Sequence, residues 1–169
     1  MIIIINGALG VGKSSVAEEL HWKFEKSVHL DGDHIGAVHP FEIYDETRTL
    51  HLHRTLELLV RFHRESGYPD IVINYIFENA AQLRQLKDLL RPLDPDLRSF
   101  RLICDPAEHE ARVRRRGRNS LDWELKRHVE LTRIQDEAAR VGDIGRPIDT
   151  TGLTAAEVAE IIWALAHSE

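Results

Sequence analysis

Apolar positions along the chain fall into two alternating kinds of run. Short, continuous, β-branched or aromatic stretches occur at residues 2–5 (Ile2, Ile3, Ile4, Ile5), 28–30, 70–77 (Ile71, Val72 and Ile73 at the centre), 100–104 and around Ile148. They read as strands buried on both faces. Between them lie longer stretches with helical periodicity. Val16, Ala17, Leu20 and Phe24 place a helix over 14–25. Leu52, Leu56, Leu59 and His63, at i, i+4, i+7 and i+11, place another within 45–66. Further helices are predicted at 80–90, 107–116 and 120–140. A last one opens on the capping box Thr154-x-x-Glu157 and carries Val158, Ile161, Ile162 and Leu165 on one face. Turns are marked by His39-Pro40, Gly67-Tyr68-Pro69, Pro92 to Pro95 and Gly142 to Pro147.

Strands that are apolar throughout and separated by helices predict an α/β fold: a parallel sheet covered on both sides. Such sheets bind ligands at the carboxyl ends of their strands, so the chemistry is expected just after each strand. The chain has 169 residues and no internal repeat or linker-like tract, which fits one domain over 1–169. Its 22 Lys and Arg against 28 Asp and Glu give a net charge of −6, which argues against a nucleic-acid binder. The single cysteine, Cys104, offers neither a disulfide nor a cysteine metal cluster. No apolar run reaches membrane-spanning length and no secretory leader is visible, so a soluble cytoplasmic protein without a membrane partner is expected.

Immediately after the first strand stands Gly7-Ala8-Leu9-Gly10-Val11-Gly12-Lys13-Ser14, followed by Ser15. It matches G-x-x-x-x-G-K-[ST] without a gap. Glycines let backbone N–H groups converge on phosphate oxygens, and the following helix adds its positive end. Lys13 would bridge the outer phosphates, and the Ser14 hydroxyl would ligate the Mg²⁺ that arrives with ATP. A chance match in a chain of this length is on the order of one percent, given ordinary glycine usage.

The second strand ends in Leu30-Asp31-Gly32-Asp33. On an extended segment two carboxylates at i and i+2 point the same way, with Gly32 leaving space between them. One would orient or deprotonate an attacking hydroxyl while the other steadies Mg²⁺. Asp-Gly-Asp is also ordinary turn chemistry.

The Walker-type loop with Asp31-Gly32-Asp33 some twenty residues later resembles the P-loop small-molecule kinases, among them shikimate, gluconate and adenylylsulfate kinases and antibiotic phosphotransferases. These are relatives of the nucleoside and nucleotide kinases. The resemblance implies a P-loop three-layer sandwich, a five-stranded sheet in the order 2-3-1-4-5, and transfer of the ATP γ-phosphoryl group to a small-molecule acceptor. It assigns the acceptor hydroxyl to Asp33 and leaves Mg²⁺ to Ser14 and Asp31.

Arg112, Arg114, Arg115, Arg116 and Arg118 crowd the stretch after strand four. By themselves they fit a solvated helix face or a phosphate-backbone patch. In the resembling kinases this place holds R-x-x-x-R and a lid. Arg112 would then stack on adenine and Arg116 steady the transferring phosphoryl, with a small lid over 114–122. Asp149-Thr150-Thr151-Gly152-Leu153 resembles the adenine-lining loop, with Thr151, Gly152 and Leu153 as its contacts, although a strand end and helix cap explain the same residues.

Two departures stand out. Asn74 ends the third strand where many P-loop proteins carry an acidic residue, which shifts metal support onto Asp31. The acceptor-binding arginines of shikimate kinase have no counterpart fixed by spacing. His51 and His53 diverge by about 200° on a helix and cannot share an ion. His34 and His39, after the acidic pair, are expected to be exposed, and Trp22, Trp123 and Trp163 to pack. The expected activity is therefore phosphotransfer from ATP-Mg²⁺ to a hydroxyl or phosphate. The alternatives are a nucleoside or nucleotide kinase, or an ATP-binding regulator or resistance factor without catalysis. A polynucleotide kinase is disfavoured by the charge.

Overall fold

The computed structural model describes residues 1–40, 42, 45–115 and 121–168. Its elements run β1 (Ile2–Gly7), α1 (Lys13–His21), β2 (Ser27–Asp31), α2 (Gly32–Ile35), α3 (Glu46–Glu65), β3 (Asp70–Asn74), α4 (Ala80–Leu90), β4 (Arg98–Ile103), α5 (Pro106–Arg115), α6 (Leu121–Val141), β5 (Arg146–Asp149) and α7 (Ala155–His167). The five strands form one parallel sheet in the order β2-β3-β1-β4-β5. The order expected from the resemblance is the order found. No described helix is long and apolar enough to cross a membrane.

The isoleucine run explains why β1 takes the centre. Successive side chains alternate faces. Ile3 and Ile5 enter one core with Val72, Phe100 and Leu102, covered by Val16, Ala17 and Leu20 of α1 and Val158, Ala159 and Ile162 of α7. Ile2 and Ile4 enter the other with Leu30, Ile71 and Ile73, covered by Leu52, Leu56 and Val60 of α3 and Leu83, Leu86 and Leu90 of α4. All four isoleucines are fully buried, which a strand with one wet face would not tolerate. Helix starts follow their caps: Asp45 accepts from the Thr47 N–H, Asn79 from Gln82, and Thr154 and Glu157 form the reciprocal box.

Several elements differ from the periodicity. Helix α1 stops at His21, not Glu25, because the Ser27 hydroxyl takes the His21 carbonyl (2.5 Å) and turns the chain into β2. Phe24 still reaches the core from that turn, packed edge-on against Trp163. Strand β3 stops at Asn74, not Phe77. Beyond it the buried Asn6 amide replaces the ladder, bonding both the N–H (2.9 Å) and the carbonyl (3.2 Å) of Phe77. On α3 the buried stripe is Leu52, Leu56 and Val60, with Leu59 and His63 at its edge. On α7, Ile161 lies toward solvent. Trp163 packs as expected, but Trp22 is 74% exposed and Trp123 56%. His34 and His39 are exposed, as expected.

Candidate functional site

Everything in the site hangs from the carboxyl edge of the sheet. The loop after β1 carries Gly10 and Gly12 at φ of 85° and 103° and runs directly into α1, with Gly12 at its N-cap. At Gly10 the left-handed backbone and the neighbour act together, since a Cβ would sit 2.4 Å from His109 Nε2. Gly12 has open space on its Cβ side, so the loop presents an uncovered backbone face. That face suits a phosphate group. Lys13 is buried and its Nζ donates to the Ala8 carbonyl at 3.1 Å, which folds the ammonium back over the loop.

The outer side of the loop is pinned by two histidines that the sequence reading did not single out. His109 of α5 and His128 of α6 are both buried and stack at 3.3 Å between centroids, 11° from parallel. His109 Nε2 and His128 Nδ1 each lie 2.9 Å from the Leu9 carbonyl. That oxygen can only accept, so both nitrogens carry hydrogen and both lone pairs are used. The peptide is planar and trans, so fixing the Leu9 carbonyl toward α5 and α6 turns the Gly10 N–H the opposite way.

Ser14 and Asp31, the two residues assigned to Mg²⁺ from sequence, meet, the hydroxyl donating to Asp31 Oδ2 at 2.8 Å. Asn74 braces the pair. Its Nδ2 donates to the same Asp31 oxygen (3.0 Å) and to Ser14 Oγ (3.3 Å), while its Oδ1 contacts His29 Nε2. Burial pushes the Asp31 carboxyl up, but hydrogen bonds from Asn74, Ser14 and the Asp33 N–H, with His34 nearby, more than offset it. Its net shift is downward, so Asp31 is anionic at neutral pH. Ser14 and Asp31 offer hard oxygens of the kind Mg²⁺ takes. Among the described residues no cluster of three acidic, His or Cys side chains could hold a metal alone.

Asp33 does not share the expected extended segment with Asp31. Asp31 caps the single turn α2, accepting from the Asp33 N–H at 2.9 Å, and Asp33 sits inside that turn. Nor does Gly32 leave a gap: a Cβ there would lie 2.6 Å from the Tyr75 ring. The turn forms because Asp31 can cap it and Gly32 lets Tyr75 close on it. The two carboxylates therefore separate, Asp31 to Ser14 and Asp33 to a different cavity.

Two cavities flank the loop, each of about 290 Å³. The first is lined by Gly10, Gly12, Ser15, Arg112, Thr150 and Leu153, together with Arg115 and apolar residues of α1 and α7. Arg112 ties its wall together, donating to the Thr150 carbonyl (2.6 Å) and hydroxyl (3.0 Å), the Val11 and Leu153 carbonyls (both 3.3 Å), and pairing with Glu108 (2.9 Å). These bonds use the edge of a planar guanidinium and leave its faces for stacking. In the adjoining loop Thr150 lines the cavity, whereas the Thr151 hydroxyl is committed to Asp149 (2.7 Å) and the Asp105 N–H (2.9 Å). Arg116, Arg118 and residues 116–120 of the expected lid lie outside the described residues.

The second cavity holds Asp33, Leu9, Arg48, Thr49, His53, Tyr75, Ile76, Phe77, Glu78, Gln82, Trp123, Arg127 and Leu131. Of these, Asp33 and Leu9 were candidates from sequence, Leu9 as part of the glycine-lysine loop. The rule of looking just past each strand reaches Tyr75 to Glu78, directly after β3. The others come from α3, α4 and α6, which no local motif joins.

No family model matches the chain, and no curated protein matches it in sequence. Solved structures do. The Deinococcus radiodurans tunicamycin resistance protein is similar over 98% of this chain and 95% of its own, at 24% identity and a TM-score of 0.67. A gluconokinase from Sinorhizobium meliloti covers 98% and 91%, at 16% identity and 0.68. Shikimate kinase from Acinetobacter baumannii, in complex with shikimate, covers 99% and 93%, at 20% and 0.61. A thymidylate kinase from Candida albicans is also among the similar structures. The chain has the P-loop kinase fold.

Proposed function

We propose that this chain is a phosphotransferase that moves the γ-phosphoryl group of ATP to a hydroxyl or phosphate of a small molecule. One observation carries the reading: the glycine-lysine loop contributes to the walls of two cavities, one suited to a nucleotide and one lined by Asp33. Donor and acceptor would meet at the loop between them. Several of the similar structures are kinases of small molecules or nucleotides, which supports the reaction type and leaves the acceptor open.

Phosphoryl transfer asks the protein mainly for alignment and charge neutralisation. The loop N–H groups and Lys13 would hold the phosphates, and the Arg112 face would hold the base. Mg²⁺, bound with the nucleotide, supplies further neutralisation, and Ser14 and Asp31 are the residues that would hold it. Asp33 accepts the hydroxyl proton or orients the oxygen for in-line attack. Arginines of 112–118 serve the developing charge.

The test is transfer of label from γ-labelled ATP to pooled hydroxylated small molecules, read by mass spectrometry, for wild type and Asp33→Asn. Wild type yields a phosphorylated product. The variant loses roughly 10²-fold or more in transfer while nucleotide affinity stays within a few-fold. Tight ATP binding with no product would favour a non-catalytic nucleotide-binding protein, and nucleosides as the sole acceptors a nucleoside kinase.

A further inference from the structure

The second cavity shows which acceptor it fits, taking the phosphotransferase reading as given. Its charges cancel within the described lining. Arg127 pairs with Glu78 (2.5 Å) and with Glu130 (2.7 Å). Arg48 donates to the Glu42 carbonyl (3.1 Å) and the Tyr75 hydroxyl (3.3 Å). With Asp33 and Glu78 against Arg48 and Arg127, the lining carries no net cation for an anionic acceptor. A carboxylate or phosphate brought here would be desolvated next to Asp33, and both guanidinium groups of the described lining already have partners, an unfavourable exchange.

Apolar and aromatic surface makes up most of the rest. Phe77 is fully buried at the floor, with Tyr75 edge-on to it at 5.5 Å. Leu9, Ile76 and Leu131 add aliphatic wall. Trp123 lines the same cavity with more than half of its surface exposed, at the start of α6. Folding alone gives an indole no gain there, whereas a bound ring would cover it.

One polar signal is left. His53 is fully buried, yet lines the cavity. Its Nδ1 pairs with Gln85 Oε1 at 2.9 Å, so Nδ1 carries the hydrogen and Nε2 is a bare acceptor. Nε2 is buried without a hydrogen bond. Burial lowers the imidazole's proton affinity, against a smaller opposing effect of Gln85. A buried acceptor left without a donor is unfavourable, and a ligand O–H or N–H would relieve it.

We infer that the acceptor is an uncharged, ring-bearing alcohol with a second hydrogen-bond donor: the ring against Trp123, Tyr75 and Phe77, the second donor on His53, the reacting hydroxyl at Asp33. At about 290 Å³ the cavity is at the small end of ligand sites, sufficient for one ring and a short hydroxylated chain. In the reaction the acceptor oxygen bonds to the γ-phosphorus as the bond from that phosphorus to the bridging oxygen breaks. The electron pair leaves on ADP, and the hydroxyl proton passes to Asp33 and then to solvent.

The experiment uses matched probes with the full chain, ATP and Mg²⁺: 3-phenylpropane-1,2-diol, neutral with a ring; 3-phenyllactate, its carboxylate counterpart; and glycerol, neutral without a ring. Shikimate, gluconate and thymidine monophosphate complete the anionic arm. The expected order places the phenyl diol at least tenfold above phenyllactate and glycerol in kcat/KM, and Trp123→Ala removes most of its advantage over glycerol by raising KM. A preference for phenyllactate or any other anion overturns the inference and leaves the kinase reading standing, as does glycerol matching the phenyl diol. ATP bound without transfer to any probe overturns the inference as well, and the pooled screen then decides the kinase reading separately. Failure to bind ATP-Mg²⁺ overturns both.

Discussion

The stacked histidines make a quantitative demand on the phosphate loop. His128→Leu keeps an apolar side chain of similar bulk in the buried site but removes the Nδ1 donor to the Leu9 carbonyl and one face of the stack. Leu9 still accepts from His109, so the carbonyl is not orphaned. The expected cost at pH 8 is one net hydrogen bond, about 1 kcal/mol, plus roughly 0.5–1.5 kcal/mol for the lost ring pair. The carbonyl is also less firmly oriented, and with it the Gly10 N–H. If about 1 kcal/mol of that preorganisation is lost, ADP and ATP bind about fivefold more weakly.

The same substitution changes how stability depends on pH. In the folded protein the His128 pKa lies below the ordinary 6.5: burial is the largest cause, the Leu9 hydrogen bond opposes it, and the charge of Lys13 adds to it. The unfolded chain therefore takes up a proton near pH 6.5 before the folded protein does. The stability that neutral His128 contributes is complete above that value and declines as pH falls from 6.5 toward the folded pKa. His21 and His53 are shifted the same way, both chiefly by burial, but they are common to wild type and variant and cancel. Denaturant titrations at pH 8 and pH 5.5, with nucleotide titrations at pH 8, test all of this. The gap between wild type and His128→Leu is largest at pH 8 and narrows at pH 5.5. A gap of equal size at both pH values, with unchanged nucleotide affinity, would refute the idea that the pair holds the loop.

Three other substitutions probe the remaining parts. Lys13→Ala should abolish transfer and weaken ATP far more than adenosine in equilibrium binding, with the fold intact by circular dichroism; equal ATP affinity would remove the lysine from the phosphate site. Asp31→Asn should raise the Mg²⁺ concentration needed for half-maximal transfer, since Asn74 beside it brings no charge; an unaltered Mg²⁺ titration would point to a role in folding α2 instead. Gly32→Ala drives a Cβ to 2.6 Å from the Tyr75 ring, and the overpacking should cost about 1–3 kcal/mol in denaturant unfolding while raising acceptor KM more than ATP KM. Undiminished stability would mean that Tyr75 moves aside freely.

What the sequence made legible was local. The glycine-lysine loop is a motif of eight consecutive residues, and strand runs such as Ile2 to Ile5 declare burial on both faces without reference to any partner. The Ser14–Asp31 contact lies at the carboxyl edge of the sheet, Ser14 in the first turn of α1 and Asp31 at the end of β2, with Asn74 of the intervening β3 bonding both. The histidine pair was invisible for the converse reason. His109 and His128 belong to different helices, and nothing in either helix reports that both rings end on Leu9, at a sequence separation of 100 and 119 residues. The second cavity is dispersed in the same way over the loop after β1, α2, α3, α4, α6 and the segment after β3.

The Asp31-Gly32-Asp33 triplet shows how two candidate residues can be picked on the wrong geometry. Alternation along a strand would have aimed both carboxylates one way and made them interchangeable. A side chain able to cap, followed by a glycine under an aromatic ring, is also what a helical turn needs, and the turn prevails because Tyr75 fills the space a straight strand would leave. The consequence is a division of labour. Asp31 is bound to Ser14, Asn74 and the Asp33 N–H and has its pKa lowered, which suits a group that stays anionic beside a metal. The Asp33 carboxylate has no hydrogen-bond or ion-pair partner among the described residues and lines the second cavity. A carboxylate with uncommitted lone pairs can take a proton in the transition state, whereas one already saturated by donors is a poor base. Replacing either by asparagine should therefore impair different steps, the metal dependence for Asp31 and the transfer step for Asp33, even though only one residue separates them in the chain.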